Sequence, residues 1–133
     1  MAKTTNDLVF DTFMKCISGD EASPDVTYDR DLCVCSAQPT TRDEAFTTYM
    51  LAKTGLARSI DFIIADDPVS PYGRKITTTE KTGVSVTNSG TAQFVAICDR
   101  TNLLIVTTCT SQALTAGNTV TIPAFKAQVG DPT

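Results

Sequence analysis

The chain has no histidine, no tryptophan, few basic residues and no long apolar run. Without histidine, Ser-His-Asp and Cys-His catalytic arrangements are excluded. Eleven Lys and Arg stand against fifteen Asp and Glu, a net charge of −4. Phosphate binding draws on clustered cations, and the sole basic pair is Arg74-Lys75, so no nucleic-acid partner is expected. The longest apolar runs, residues 94–98 and 103–106, fall far short of the ~20 residues of a membrane helix, so no membrane partner is expected either. The start, Met-Ala-Lys-Thr-Thr-Asn-Asp, lacks the apolar segment of a secretory signal. Synthesis in a cytoplasm is the expectation.

Chemistry leaves no signature. The glycines never gather into a phosphate-cradling loop. Asp66-Asp67 precedes Pro68, which reads as a turn rather than an acid–base pair. Cys98 beside Asp99 and Arg100 reads as a strand end. We therefore expect no catalytic residue, no cofactor, no metal and no small-molecule substrate.

What the chain does have is a long neutral block. Residues 82–125 carry only two charges, Asp99 and Arg100, and are built mainly from Thr, Val, Ile, Ala and Ser. Of the fifteen acidic residues, only Asp99 and Asp131 lie beyond Glu80. Soluble monomers rarely leave so neutral a β surface uncovered, which points to a self-assembling structural protein. At 133 residues, 41% hydrophobic and 20% charged, one globular domain is expected.

Five cysteines, Cys16, Cys33, Cys35, Cys98 and Cys109, admit two readings. Buried free thiols acting as small hydrophobes come first; disulfide or interface cysteines come second, and an odd count leaves at least one thiol unpaired within the chain. Zinc sites usually take four ligands in two spaced pairs, and only one close pair, Cys33 and Cys35, is present.

Leu8, Val9, Thr12, Phe13, Cys16 and Ile17 form the stripe of an amphipathic helix, capped by Thr4 or Thr5 and stopped by Gly19. Leu32-Cys33-Val34-Cys35 is apolar on both alternating faces, the mark of a strand covered on both sides. Thr41 to Glu44 is a capping-box pattern that predicts a short helix over 42–52. Strands follow from Ser59 to Ile64, over residues 74–80 as a charged edge, and over residues 82–87.

A hairpin turning at residues 99–102 sets Cys98 against Leu103, Ala96 against Ile105, Phe94 against Thr107 and Ala92 against Cys109. In that register Cys98 and Cys109 share a face but lie about 20 Å apart, too far to bridge. Val95, Ile97, Leu104 and Val106 make the second face, a candidate interface needing cover from the helices or a neighbouring subunit. A turn at residues 115–118 leads to a last strand with Val120, Ile122 and Ala124 inward and Pro123 restricting it to an edge. The fold expected is mainly β: a single-domain antiparallel β-sandwich or barrel, with an N-terminal amphipathic helix. Residues 1–30 are a helix and attachment arm, 31–126 the body and 127–133 a polar tail.

Gly73-Arg74-Lys75-Ile76-Thr77, Asn88-Ser-Gly-Thr-Ala-Gln-Phe-Val-Ala-Ile-Cys-Asp99 and Val106-Thr-Thr-Cys-Thr-Ser-Gln-Ala-Leu-Thr-Ala-Gly-Asn-Thr-Val-Thr-Ile-Pro-Ala-Phe125 resemble small virion-associated proteins of tailed bacteriophages. Cys35-Ser-Ala-Gln-Pro-Thr-Thr41 is similar to the same group. The resemblance implies a virion location and a capsid decoration (cement) role, with collar, tail-accessory or fibre attachment as the alternative. It also implies partners that are copies of itself, as a homo-oligomer such as a trimer, and major capsid or neck proteins. A soluble β-sandwich binding module is the competing class.

Overall fold

A computed structural model describes residues 14–19, 29–58, 60–66 and 73–129. Among these described residues the strands are β1 Arg30–Cys35, β2 Met50–Leu56, β3 Phe62–Asp66, β4 Arg74–Thr78, β5 Lys81–Ser85, β6 Gly90–Cys98, β7 Leu103–Leu114, β8 Thr119–Ile122 and β9 Lys126–Val129. All pairings are antiparallel. The fold is mainly β, as its alternating patterns require.

One layer is a four-stranded sheet in the order β2-β1-β6-β7. The second grows from one long ribbon. Arg74 pairs with Val129, Thr77 with Lys126 and Lys81 with Ile122, so β4 and β5 run in near-constant register against β8 and β9. The ribbon stays continuous across its kink because the Thr78 N–H donates to the Phe125 carbonyl at 2.9 Å. β3 adds to the β4 edge. Among the described residues the layers are bonded on one side, where Ala52 bridges Val86 and the Thr87 and Asn88 N–H groups donate to the Leu51 carbonyl at 2.8 and 3.1 Å.

β1 shows why both of its faces are apolar. Leu32 and Val34 point to the main core with Val95, Ile97, Phe62, Ile76, Val84 and Ile122. Cys33 and Cys35 point the other way, into a smaller cluster with Ala45, Ala96 and Cys98. The cover there is a π-helical turn, Glu44–Thr48. Every buried residue beneath it is Cys or Ala, which lets the turn lie close upon the sheet; bulkier side chains would hold it off.

Several elements differ from the sequence expectation. The short helix expected over 42–52 is present over residues 42–48, its last five residues π-helical, but it stops before its expected end: residues from Met50 are strand β2, whose pairing with β1 buries Leu51 and Ala52. The capping pattern is nonetheless used: the Glu44 N–H donates to Thr41 Oγ1 at 3.2 Å, and the Glu44 carboxylate accepts from the Thr40 N–H at 2.6 Å. β4 is no edge strand, since β9 pairs with its second side, and Arg74 is satisfied by Asp66 at 2.7 Å. The polar tail begins instead with strand β9, whose Lys126 and Gln128 are exposed while Ala127 packs on the core.

Residues 14–18 are helical and end at Gly19, whose φ of +83° is the left-handed stop that glycine supplies. The rest of that expected helix, the arm to Tyr28, the expected strand start at Ser59, the turn at Asp67 and Pro68, and residues 130–133 lie outside the described residues. Arg30, fully buried, ties this helix to β1 by donating from Nε to the Ile17 carbonyl at 2.8 Å and from its terminal nitrogen to the Cys16 carbonyl at 3.0 Å. Its cation thus caps a helix C-terminus. Among the described residues no helix is long and apolar enough to cross a membrane.

Candidate assembly surface

The β6–β7 hairpin turns where its sequence demands. Asp99 is buried, and its carboxylate accepts from the Thr101 N–H at 2.8 Å, the Asn102 N–H and the Asn102 side-chain amide at 3.1 Å. Burial pushes its pKa up, but those donors outweigh it and hold the carboxyl below its usual range. Cys98 faces Leu103, as expected.

Beyond that pair the register shifts. Ile105 faces Ile97, Val106 faces Ala96, Thr108 faces Phe94, and Gln112 faces Ala92. Two bulges cause this, one beside the turn at Leu104 and one that sets residues 109–111 against Gln93 alone. The expected opposition of Ala96 to Ile105, Phe94 to Thr107 and Ala92 to Cys109 is therefore wrong. Cys98 and Cys109 do not share a face either: Cys98 lies under the π-helical turn and Cys109 packs toward the main core.

The candidate interface residues divide accordingly. Val95 and Ile97 are buried by the chain's own second layer, while Leu104 and Val106 remain half-buried on opposite sides of β7. β7 is the end strand of its sheet and spans 12 residues. Thr108, Thr110, Ser111, Gln112 and Ala113 are exposed along it. Not one charged residue occurs over 101–125.

β7 also borders the side where the two layers do not join. Contiguous cavities run along this seam, with volumes of about 190 and 280 Å³, both lined by Val95, Cys109, Thr110, Ile122 and Pro123. A third, of about 390 Å³, lies where Leu104 and Ile105 approach Ala127, Gln128 and the helical residues Met14, Cys16 and Ile17. Gln112 thus lies toward Val120 and Leu104 toward Ala127, so β7 runs opposite in direction to β8 and β9 without bonding to them. The seam is floored by apolar residues such as Val34, Ala92, Val95 and Ile122 and runs between two strands that do not pair. That chemistry suits an extended polypeptide better than a polar small molecule.

None of the five cysteines is in a disulfide. The Cys33 and Cys98 thiols interact: on Cys33 that contact and burial together drive the pKa far up, whereas on Cys98 the same contact outweighs burial and draws the pKa down. Burial pushes Cys35 up to about 12, and its thiol lies 3.5 Å from the Ala45 carbonyl. These three are interior; Cys16 and Cys109 are half-exposed. Above the cluster, Arg42 donates to the Asp99 carbonyl at 3.2 Å, pairs with Asp31 at 3.7 Å and sits 4.0 Å over the Phe46 ring, which Lys53 also meets at 3.6 Å. The arrangement locks the π-helical turn to the hairpin tip. Among the described residues no three His, Cys, Asp or Glu side chains converge as metal ligands.

Sequence reasoning missed the Arg42–Phe46–Lys53 stack and the seam. The stack had a signal in the spacing of Arg42 and Phe46, four apart on a helical turn; the seam had none, since it lies between strands that do not pair. No family model, no curated protein and no solved structure matches this chain.

Proposed function

We propose that this chain is a structural component of a bacteriophage virion, namely a capsid decoration or cement protein that stabilises the particle by protein–protein contact. The supporting observation is β7, which among the described residues is an unpaired, uncharged edge of 12 residues beside an apolar seam. Edges of this kind are templates for pairing, and proteins that stay monomeric guard them. Each copy would bury neutral β surface against a neighbour, and many modest contacts on one particle would add through avidity. A cysteine lock between subunits would fall to Cys16 or Cys109, because Cys33, Cys35 and Cys98 are enclosed.

The test is the copy number in purified virions by quantitative mass spectrometry. Hundreds of copies support decoration; about a dozen, the order of a neck or tail ring, support the collar or tail-accessory alternative. Absence from particles overturns the reading, and a stable monomer holding a small ligand would favour the binding module.

A further inference from the structure

We propose that two copies of this chain join through β7, its outer side pairing antiparallel with the same strand of a second copy about a twofold axis at Val106. The two four-stranded sheets would then fuse into one of eight strands. This rests on reading the chain as an assembling component and names the partner its bare edge takes.

The occupant follows first from a comparison of edges. β2 is bridged at Ala52 to Val86, just past β5, β3 ends in the ion-paired Asp66, β8 is followed by Pro123 and β9 starts with Lys126. Among the described residues β7 alone of these edges has no charge or bridge within it and no proline beside it, and at 12 residues it is about twice the usual strand length. Charge points the same way. Each copy carries −4, and every charged residue lies outside 101–125. Two like-charged copies can meet there without Coulombic cost, whereas a basic partner would be drawn to the acidic faces instead.

The strand also matches itself. A twofold axis perpendicular to the sheet sets each face against its own kind, so paired residue numbers sum to an even value. The straight part of β7 ends before the bulge at Cys109. An axis on Val106 meets both conditions and keeps the bulged Leu104 toward the end of the ladder. Val106 then opposes its own copy, and Ile105 opposes Thr107 of the partner subunit. These are β-branched pairs, which favour cross-strand packing.

Sedimentation equilibrium of the full chain, with hydrogen–deuterium exchange at low and high protein concentration, tests this. We expect a concentration-dependent dimer whose added protection is confined to residues 103–108. Val106→Glu would place two carboxylates about 5 Å apart on the axis and raise the dissociation constant by at least about tenfold. Thr108→Glu, at an exposed position, is the second variant, with exchange on the unmodified chain independent of both. A monomer at all concentrations, a trimer, or protection elsewhere overturns the proposal, as does unchanged association of both folded variants. A β7-protected dimer absent from virions would refute the virion role alone; a monomer found on virions would refute the pairing alone.

Discussion

Asp61 is the joint between the β2–β3 connection and the kink of the long ribbon, and Asp61→Asn should show what that joint contributes. Its carboxylate accepts from Lys81 Nζ at 2.7 Å, the Ala57 N–H at 2.7 Å and the Thr79 hydroxyl at 3.1 Å. The Asp61 side chain is 14% exposed and that of Lys81 25%, so solvent screens the pair only in part. Burial raises the Asp61 pKa, but the Lys81 hydrogen bond and the other donors outweigh it and bring it below the usual value. An amide has one acceptor oxygen for three donors and leaves Lys81 without a counter-charge. The expected loss is about 2 kcal/mol, the scale of a charge-assisted hydrogen bond. For a chain of 133 residues that corresponds to a fall in Tm of about 6–10 °C.

Because the folded pKa is depressed, the Asp61 contribution is full above the unfolded value of about 3.9 and is lost as pH falls through the folded value. Urea unfolding from about pH 6 to about pH 3 should therefore show the gap between wild type and Asp61→Asn narrowing toward acid. A cycle with Lys81→Met should give a coupling of about 1 kcal/mol or more. A gap that stays constant across this range, or a variant within about 0.5 kcal/mol of wild type, would refute the electrostatic account.

Three further outcomes follow from the packing. Cys35→Leu should destabilise by about 1–3 kcal/mol in thermal melts, by pushing the π-helical turn off the sheet, whereas Cys35→Ala should cost less. Thiol titration of the folded chain should label Cys16 and Cys109 quickly and reach Cys33, Cys35 and Cys98 only on unfolding, as mass mapping of the labelled peptides would show. Gly117→Ala should lose about 1 kcal/mol in urea, since φ at Gly117 is +92° in the turn before β8.

The sequence was most informative where burial and local turn chemistry agreed. Leu32-Cys33-Val34-Cys35 announced a strand with two covered faces, and Asp99 with Asn102 marked the hairpin tip and its first pair. Register failed past that pair because a bulge depends on how two strands fit, which neither strand's pattern records. The short helix expected over 42–52 forms but ends at Thr48, because Met50 and Leu51 suit either a helix face or a strand, and pairing with β1 decided it. Arg74 and Lys75 suggested an edge, but the covering strand β9 comes from about fifty residues later in the chain, beyond the reach of local pattern. Of the candidate interface, the neutrality of β7 was legible and its geometry was not. Val95 and Ile97 proved to be core because the second layer covers them.

The one-sided joining of the two layers has a mechanical consequence. Along Ala52 and Val86 the layers are stitched by backbone hydrogen bonds, whereas along β7 the described residues meet across cavities without a strand pairing. Opening the molecule on the β7 side breaks no ladder, so the stitched side acts as a spine and the seam as the free margin of a folded leaf. A strand entering that margin would therefore have no ladder to displace among the described residues.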